Sequence, residues 1–434
     1  MTVSVARPAI DHWPDLGEVP RNLRTTVSAA VARQIFRAGV RRLPVTVHLG
    51  DETLGTGGPA MTIHRPDEFF ARLGRGVLIG FGEAYLAGAW DAPDLGALLT
   101  VLAADMPTLV PQGLQKLRAI AVRRPPHHEK STRANSQRNI AHHYDLSNDL
   151  FELFLDPTLG YSSALFEAER VHDAGFGRAT APVPGSDLAE GQLRKIERLL
   201  DRTEVRTGSR VLEIGTGWGE LAIQAVRRGA LVHSITLSTE QKELAERRIA
   251  DAGLADRITV ELLDYRALVP STGSTNMGAY DVVLSVEMIE AVGHDFWIEY
   301  FQTLDRVLAP GGAVGIQAIT MHHDRMLATR STYTWINKYI FPGGFLPSVE
   351  AIEQITRGHT ALRVTDRLSF GRHYAETLRQ WDAAFLERRD AVLALGFDET
   401  FVRMWHFYLQ YSLAGFASDY IDVNQVVLRR EERP

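Results

Sequence analysis

From residue 209 onward the chain alternates two hydrophobic patterns. Short apolar, β-branched runs at 209–214, 231–236, 257–262, 280–286 and 313–319 read as buried strands. Before and between them, segments near 192–202, 218–228, 239–252 and 295–308 read as helices. Leu308-Ala309-Pro310-Gly311-Gly312 reads as a turn before the fifth strand. Strand–helix alternation of this kind predicts an α/β fold built on a doubly wound, Rossmann-like sheet. Ligands of such sheets bind beyond the carboxyl ends of the strands. The candidate chemistry falls there: Gly215 after the first strand, Thr236 after the second, Asp264 after the third, and Glu287 to Glu290 after the fourth.

The most informative stretch is Val211-Leu212-Glu213-Ile214-Gly215-Thr216-Gly217-Trp218-Gly219. An apolar run ends in an acid and opens onto three alternating glycines, where bare backbone lets a ligand lie against the strand-to-helix turn. The spacing is G-x-G-x-G, and the acid precedes the first glycine. A dinucleotide fold places an Asp or Glu about twenty residues further on, to bind a ribose hydroxyl. The corresponding region, Ser234-Ile235-Thr236-Leu237-Ser238, holds no acid, and with Gln241 it offers neutral hydrogen bonds. S-adenosylmethionine (SAM) therefore fits better than NAD, which is the runner-up.

Upstream the pattern changes. Residues 1–115 form a smaller N-terminal α+β domain with its own turns and the segment Gly80-Phe81-Gly82-Glu83-Ala84-Tyr85-Leu86-Ala87-Gly88-Ala89-Trp90. Residues 116–138 read as a basic linker: seven Lys or Arg against one acid, Glu129, around Pro125-Pro126-His127-His128. Residues 139–434 are the expected catalytic domain. With 434 residues, 45% of them hydrophobic, the chain can bury two cores. The net charge of −6 gives no reason to expect nucleic acid. No run approaches the roughly eighteen apolar residues of a spanning helix, and no signal-peptide pattern opens the chain. Cysteine is absent, which excludes disulfides, thiolate metal sites and thiol nucleophiles. A cytoplasmic protein is expected. On Arg21 to Leu43, arginines alternate with Val27, Val31, Ile35 and Val40, either a helix for anionic lipid or a solvated face over a core.

From about residue 135 the chain resembles the cyclopropane fatty acid synthase family, which includes the mycolic acid methyltransferases. The matching blocks are Ala141-His142-His143-Tyr144-Asp145-Leu146-Ser147-Asn148-Asp149, Tyr161 to Phe166, the glycine motif, Thr236 to Gln241, Asp264-Tyr265-Arg266, Ser285 to Gly293, Tyr339 to Gly344 and Tyr420 to Gln425. Gly82 to Asp91 also resembles the longer bacterial members, which carry an extra N-terminal domain. The resemblance implies SAM-dependent alkylation of a cis double bond in a fatty acyl chain of a phospholipid, by a peripheral protein at the inner face of the membrane. Such a reaction needs apposition of alkene and methyl donor in a dry pocket, stabilisation of a carbocation and a base for one proton. Aromatic candidates for the cation are Tyr161, Tyr265, Trp297, Tyr339, Phe341 and Tyr374, each of which is otherwise core packing.

Carried over by position, the resemblance places Tyr161, Ser162, Gly215, Gly217, Gly219, Thr236, Ser238, Gln241, Tyr265 and Arg266 at SAM, with Glu213 orienting the turn or the ligand's amino group. It also implies a bicarbonate ion as general base. Glu290 and Tyr374 match two of its holders, while Ser163 and Gln317 stand where the family has a cysteine and a histidine. A second family cysteine falls on Ser412. An amide cannot share a proton but can hold an anion through its NH₂. Glu287 stands where many members carry glycine; it is either a second base beside Glu290 or a surface or helix-capping charge.

The altered anion site, together with a general resemblance to actinobacterial fatty-acid methyltransferases of this type, points to a methylene-branched (10-methylene-type) product, which a separate reductase could turn into a methyl branch; the alternative is a cyclopropane. Further readings are a catalytically silent lipid-binding protein and a methyltransferase for a soluble small molecule. The apolar insertion at 321–362, with Trp335, Tyr339, Ile340 and Phe341, is expected to form a lipid pocket, against the alternative of a second core. The N-terminal domain is expected to present lipid or to bring a second subunit close in a homodimer. No metal site is expected, because His142-His143 and His322-His323 are adjacent pairs without a carboxylate at ligand spacing.

Overall fold

The computed structural model describes residues 8, 12–20, 22–105, 147–169, 175–268 and 280–431. The basic linker and the Ala141 to Leu146 part of the first matching block lie outside the described residues. Two compact units emerge.

The larger unit holds an eight-stranded sheet made of β5 (Phe176–Arg178), β6 (Arg210–Ile214), β7 (Leu231–Thr236), β8 (Ile258–Leu262), β9 (Tyr280–Val286), β10 (Leu308–Met321), β11 (Leu362–Ser369) and β12 (Ile421–Arg430), in the order β5-β11-β12-β10-β9-β6-β7-β8. The run β10-β9-β6-β7-β8 is parallel throughout. β12 enters antiparallel between β10 and β11, so the sheet is mixed. β6 pairs with β7 on one side and β9 on the other, which makes its carboxyl end the point where the strand order reverses. Two apolar clusters cover the sheet, one around Trp297, Phe301 and Leu304, the other around Leu199, Ala225 and Ile249.

All five expected strands form, and the expected helices appear at Leu188–Arg202, Glu220–Arg227, Thr239–Asp251 and Trp297–Val307. Asp187 caps the first of these by accepting from the Glu190 N–H at 2.9 Å. The expected turn at Leu308 to Gly312 is instead the start of β10. Register shifts between Leu308 and Ala313, and Gly311 at φ +74° absorbs the irregularity without taking the chain out of the sheet. β12 lies beyond the expected strands, and its middle carries the polar pair Asn424 and Gln425. Asn424 and Gln425 are nonetheless buried, Asn424 donating to Thr320 Oγ1 at 2.9 Å.

The smaller unit comprises the described residues up to 105 with Thr332–Ile340 and Trp381–Tyr420. Its sheet runs β2 (Glu52–Leu54), β1 (Thr46–Leu49), β3 (Ala60–Ile63), β4 (Trp90–Asp91). The helix Trp335–Tyr339, from the centre of the expected lipid-pocket insertion, belongs to this unit. Trp335 is 1% exposed and packs edge-on against Phe407 at 4.8 Å. Lys338 Nζ and Tyr339 Oη reach Glu83 at 2.6 and 3.2 Å. Arg403 donates to the Tyr85 carbonyl and to Asp91. The Gly82 to Asp91 block is thus a receiving surface for two distant segments, and the middle of the insertion is core. Gly82 permits this: a Cβ there would lie 2.5 Å from Trp335 Cδ1 and 3.2 Å from Phe407. Gly82→Ala is therefore expected to cost about 1–3 kcal/mol by overpacking. Thermal unfolding checks it, and an unchanged midpoint would show that Trp335 is not seated there.

Candidate active site

At the switch point a cavity opens between the turn after β6, the ends of β7 and β9, and the segment Thr158 to Ser162. The three alternating glycines all adopt positive φ: Gly215 +95°, Gly217 +52° and Gly219 +90°. They serve different ends. A Cβ on Gly215 would strike Met288 Cγ at 2.7 Å, one on Gly217 would meet nothing within 4 Å, and Gly219 caps the helix Glu220–Arg227. The turn is held from outside by Trp218, whose indole donates to Asn148 Oδ1 at 2.8 Å.

Below the turn, Glu213 is buried and accepts from Ser234 Oγ, which also bonds Thr216 Oγ1 at 2.7 Å. Burial pushes the Glu213 carboxyl up to about 8, with the Ser234 bond opposing. At the end of β7, Thr236 Oγ1 donates to Gln241 Oε1 at 3.2 Å, leaving the amide NH₂ of Gln241 as a donor at the cavity wall. Leu237, Leu263 and Tyr265 add apolar and aromatic surface. Bare backbone, a neutral amide and apolar faces without a ribose-binding acid fit SAM.

The opposite wall carries a carboxylate. Glu287 follows β9 directly and holds φ +51°, an unfavourable conformation for a residue with a long side chain. Its Oε1 accepts from the Ser163 N–H and from Gln317 Nε2, both at 2.9 Å, and its Oε2 accepts from Tyr374 Oη at 2.7 Å. Burial raises its proton affinity, opposed by Tyr374, Gln317, Ser163 and the nearby charge of Lys195. Lys195 is itself buried, donates to Ser162 Oγ at 2.7 Å and is pushed down to about 8 by desolvation. Gln317 cannot turn over. Its Oε1 accepts from Gln425 Nε2 at 3.2 Å, and Gln425 Oε1 accepts at 2.9 Å from Arg198, which has no acceptor to offer.

Most of the sequence-predicted residues meet here. Tyr161, Ser162, Glu213, Gly215, Gly217, Thr236, Gln241 and Tyr265 line the cavity with Glu287. Ser163, Gln317 and Tyr374 stand behind it, each bonded to Glu287. Ser163 acts through its main chain, because its hydroxyl is turned to the Ala164 carbonyl at 3.0 Å. Three of the four groups expected to hold bicarbonate, Ser163, Gln317 and Tyr374, are thus bonded to Glu287, and a second anion beside that carboxylate would be repelled; the set does not fit a captured bicarbonate.

Glu290, on the short helix Ile289–Val292, is off the cavity lining. Its Oε1 accepts from the Ile319 N–H, its buried Oε2 has no hydrogen-bond partner among the described residues, and burial together with Glu287 raises it to about 8. Gly219 and Ser238 fall outside the lining as helix caps; Ser238 accepts from the Gln241 N–H at 3.2 Å. Arg266 also falls outside, paired with Asp264 at 2.8 Å and lying over the Tyr265 and Phe296 rings. Of the other aromatic candidates, Trp297 is core, donating to the Ile289 carbonyl and stacking on Phe345, and Tyr339 belongs to the smaller unit. Sequence reasoning missed Lys195, Thr158, Trp218 and Met288 in the lining. Lys195 had one signal: it lies on the same buried face as Ile196 and Leu199. Among the described residues no group of His, Cys, Asp or Glu is placed to hold a metal.

Comparison with known proteins agrees with this geometry. The model of the mycolic acid cyclopropane synthetase family matches residues 130–426. A tuberculostearic acid methyltransferase, UfaA1, of Mycobacterium tuberculosis is 50% identical over 98% of this chain and 96% of its own. A cyclopropane-fatty-acyl-phospholipid synthase of Escherichia coli is 32% identical over 87% of this chain and 89% of its own. Among solved structures, the mycolic acid cyclopropane synthase CmaA1 complexed with SAH and CTAB superposes with a TM-score of 0.58 at 28% identity, covering 70% of this chain and 99% of that one.

Glu213 makes the site's electrostatics measurable. Its folded value near 8 lies above the ordinary 4.5, so between those pH values the folded chain keeps a proton that the unfolded chain has released. Stability from this group is full below about pH 4.5 and is lost as pH rises towards 8. The thermal midpoint of the wild type is expected to fall between pH 5 and 8. Glu213→Gln, a neutral isostere, should remove about 1 kcal/mol or more of that loss. Glu290 shares the sign, so the slope is reduced and not abolished. Identical slopes in wild type and variant would show that Glu213 is ionised in the folded chain.

Proposed function

The chain belongs to the mycolic acid cyclopropane synthetase family, and from that premise we propose that it alkylates the cis double bond of an unsaturated fatty acyl chain of a phospholipid, using SAM and leaving a methylene branch. That it is a SAM-dependent methyltransferase of the cyclopropane synthase family follows from the comparisons. The observation that carries the finer reading is the cavity itself: a glycine-rich turn suited to SAM on one wall, and on the other a carboxylate ringed by amide, phenol and main-chain donors.

SAM supplies a methyl group already made electrophilic by its sulfonium. An alkene needs no activating base to accept it, so the protein's work is to align, to exclude water and to manage the cation and its proton. Leu237, Leu263, Val286 and Met288 keep the wall apolar, and the Tyr161 and Tyr265 rings present faces that stabilise positive charge without trapping it. Tyr161 is braced edge-on by Phe151 at 5.0 Å, and Tyr265 by Tyr300 at 5.4 Å.

The 50% identity to a tuberculostearic acid methyltransferase, against 32% to a cyclopropane synthase, supports a methylene-branched product. A separate reductase would then consume it. Phospholipid substrate places the protein at a membrane surface. No described helix is long and apolar enough to cross one. Leu23, Val27 and Val31, 82, 55 and 51% exposed at four-residue spacing on the helix Leu23–Val40, give the smaller unit an apolar line suited to peripheral contact.

The test is the lipid profile of cells making this protein, grown with oleoyl phospholipid and methyl-deuterated methionine. The expected product is an acyl chain one carbon longer in mass that retains two of the three methyl deuterons, and gas chromatography of its ester should show a methylene branch. A ring in place of the branch would overturn the product assignment alone. Unchanged acyl chains, with SAM bound by the purified protein, would overturn the lipid substrate.

A further inference from the structure

Glu287 is an expensive residue. It breaks the left-handed φ rule for non-glycine residues, at about 1 kcal/mol or more, and it puts a carboxylate into a wall that desolvates it. The surroundings are built to keep it there. Donors converge on it from three places in the chain: the extended segment at Ser163, strand β10 at Gln317, and the helix Gly371–Glu387 at Tyr374. Its own N–H is fixed by the Gln317 carbonyl at 2.7 Å. The Ser163 segment is itself tied to that helix, through Ala164 N–H to Thr377 Oγ1 at 3.1 Å and Phe166 N–H to His373 Nδ1 at 3.0 Å.

A carboxylate has about four acceptor sites, and three are filled by these donors. Glu287 lines the same cavity as Gly215, Gln241 and Tyr265. Glu290 does not compete for the role. It is off the lining, its donors are the main-chain N–H groups of Ile319 and of Glu290 itself, and among the described residues no nearby cation favours its charge, whereas Lys195 favours the ionised form of Glu287. Two carboxyls this close do not both ionise readily, and the donors decide which one does.

We propose that Glu287 is the catalytic base of this enzyme, a carboxylate built into the chain at the place where a captured anion would otherwise be held. The inference rests on the alkene-alkylation reading above. The alkene π pair forms the bond to the incoming methyl while the carbon–sulfur pair stays on sulfur, leaving the neighbouring acyl carbon cationic. A hydride moves to that carbon from the methyl-bearing one. Glu287 then takes a proton from the new methyl, and the C–H pair becomes the carbon–carbon double bond of the methylene. One CH₂ is gained and one proton leaves through Glu287 to solvent. No oxidant or reductant is needed.

The experiment uses the purified full chain, SAM and vesicles of oleoyl phospholipid, in carbon-dioxide-free buffer and in the same buffer with added bicarbonate. Wild-type turnover should be the same in both. Glu287→Gln, isosteric with the native side chain, should lower kcat by roughly a hundredfold or more, with SAM affinity and the KM for lipid within a few-fold of wild type. Glu287→Gly relieves the strained φ and frees three donors, and its lost turnover should return in part when bicarbonate is added. A wild type that stops in carbon-dioxide-free buffer would overturn the proposal, as would E287Q at near-normal kcat. If the wild type binds SAM but transfers nothing to lipid in either buffer, the alkylation reading fails and takes this inference with it; bicarbonate-dependent transfer defeats the inference alone.

Discussion

A carboxylate removed from water has to be given donors, or it will take up a proton or move. At Glu287 that requirement links the end of β9, the middle of β10, the Tyr161 to Phe166 segment and the helix Gly371–Glu387. None of these is near another in sequence. The bond from Gln317 continues outward: Gln425 on β12 fixes the amide, Arg198 fixes Gln425, and Asp366 on β11 accepts from Arg198 at 2.8 Å. A buried charge pair at one edge of this network therefore sets the direction of a neutral amide at the active-site wall. The antiparallel β12, inserted into an otherwise parallel half-sheet, is what brings Gln425 to that position.

The cofactor side of the cavity is organised on the opposite principle. Its polar groups carry little free charge: burial raises the proton affinity of Glu213, Glu220 is paired with Arg248 at 2.9 Å, Thr236 is bonded to Gln241, and the glycine turn presents main chain. A cationic ligand placed there would meet dipoles and aromatic residues, and the hydrogen-bonded carboxylate of Glu287 stands across the cavity.

Much of this was legible in the sequence because periodicity and glycine chemistry are local. Strands β6 to β9, the helices between them and three positive-φ glycines could be read directly, since an apolar run and a Gly-x-Gly spacing carry their own physical reasons. What was not legible depended on distant partners. Asn424 and Gln425 look like loop residues until Thr320 and Gln317 are beside them. Trp335 looks like pocket lining until Gly82 is seen to leave room for its ring. Ser238 and Gly219 sit in ligand-binding motifs yet serve as helix caps, which spacing cannot distinguish from ligation. Ser163 stands where the family has a cysteine, but its main-chain N–H makes the contact with Glu287, and no side-chain reasoning reaches that.

Glu287 shows how substitutions that look like losses can be one change. Read singly, Ser163 and Gln317 each weaken an expected anion site, and Glu287 adds an unexplained charge. Read together, Gln317 and Glu287 compose a different site with the same charge, to which position 163 adds only its main-chain N–H. Gln317 is a better holder of a fixed carboxylate than a histidine would be, because an amide oriented by Gln425 donates at every pH and cannot draw the proton back. Under the proposed mechanism a base built into the chain would be present at every turnover, whereas a captured ion must be bound and ordered each time. The chain offsets the strain of φ +51° with three hydrogen bonds to the charged form, each stronger than a neutral one. Strain held by surrounding bonds is fixed in geometry. Ring and branch both lose a proton from the new methyl and differ in whether the hydride shifts first, so under the proposed mechanism the position of the base at the end of β9 bears on that order of events.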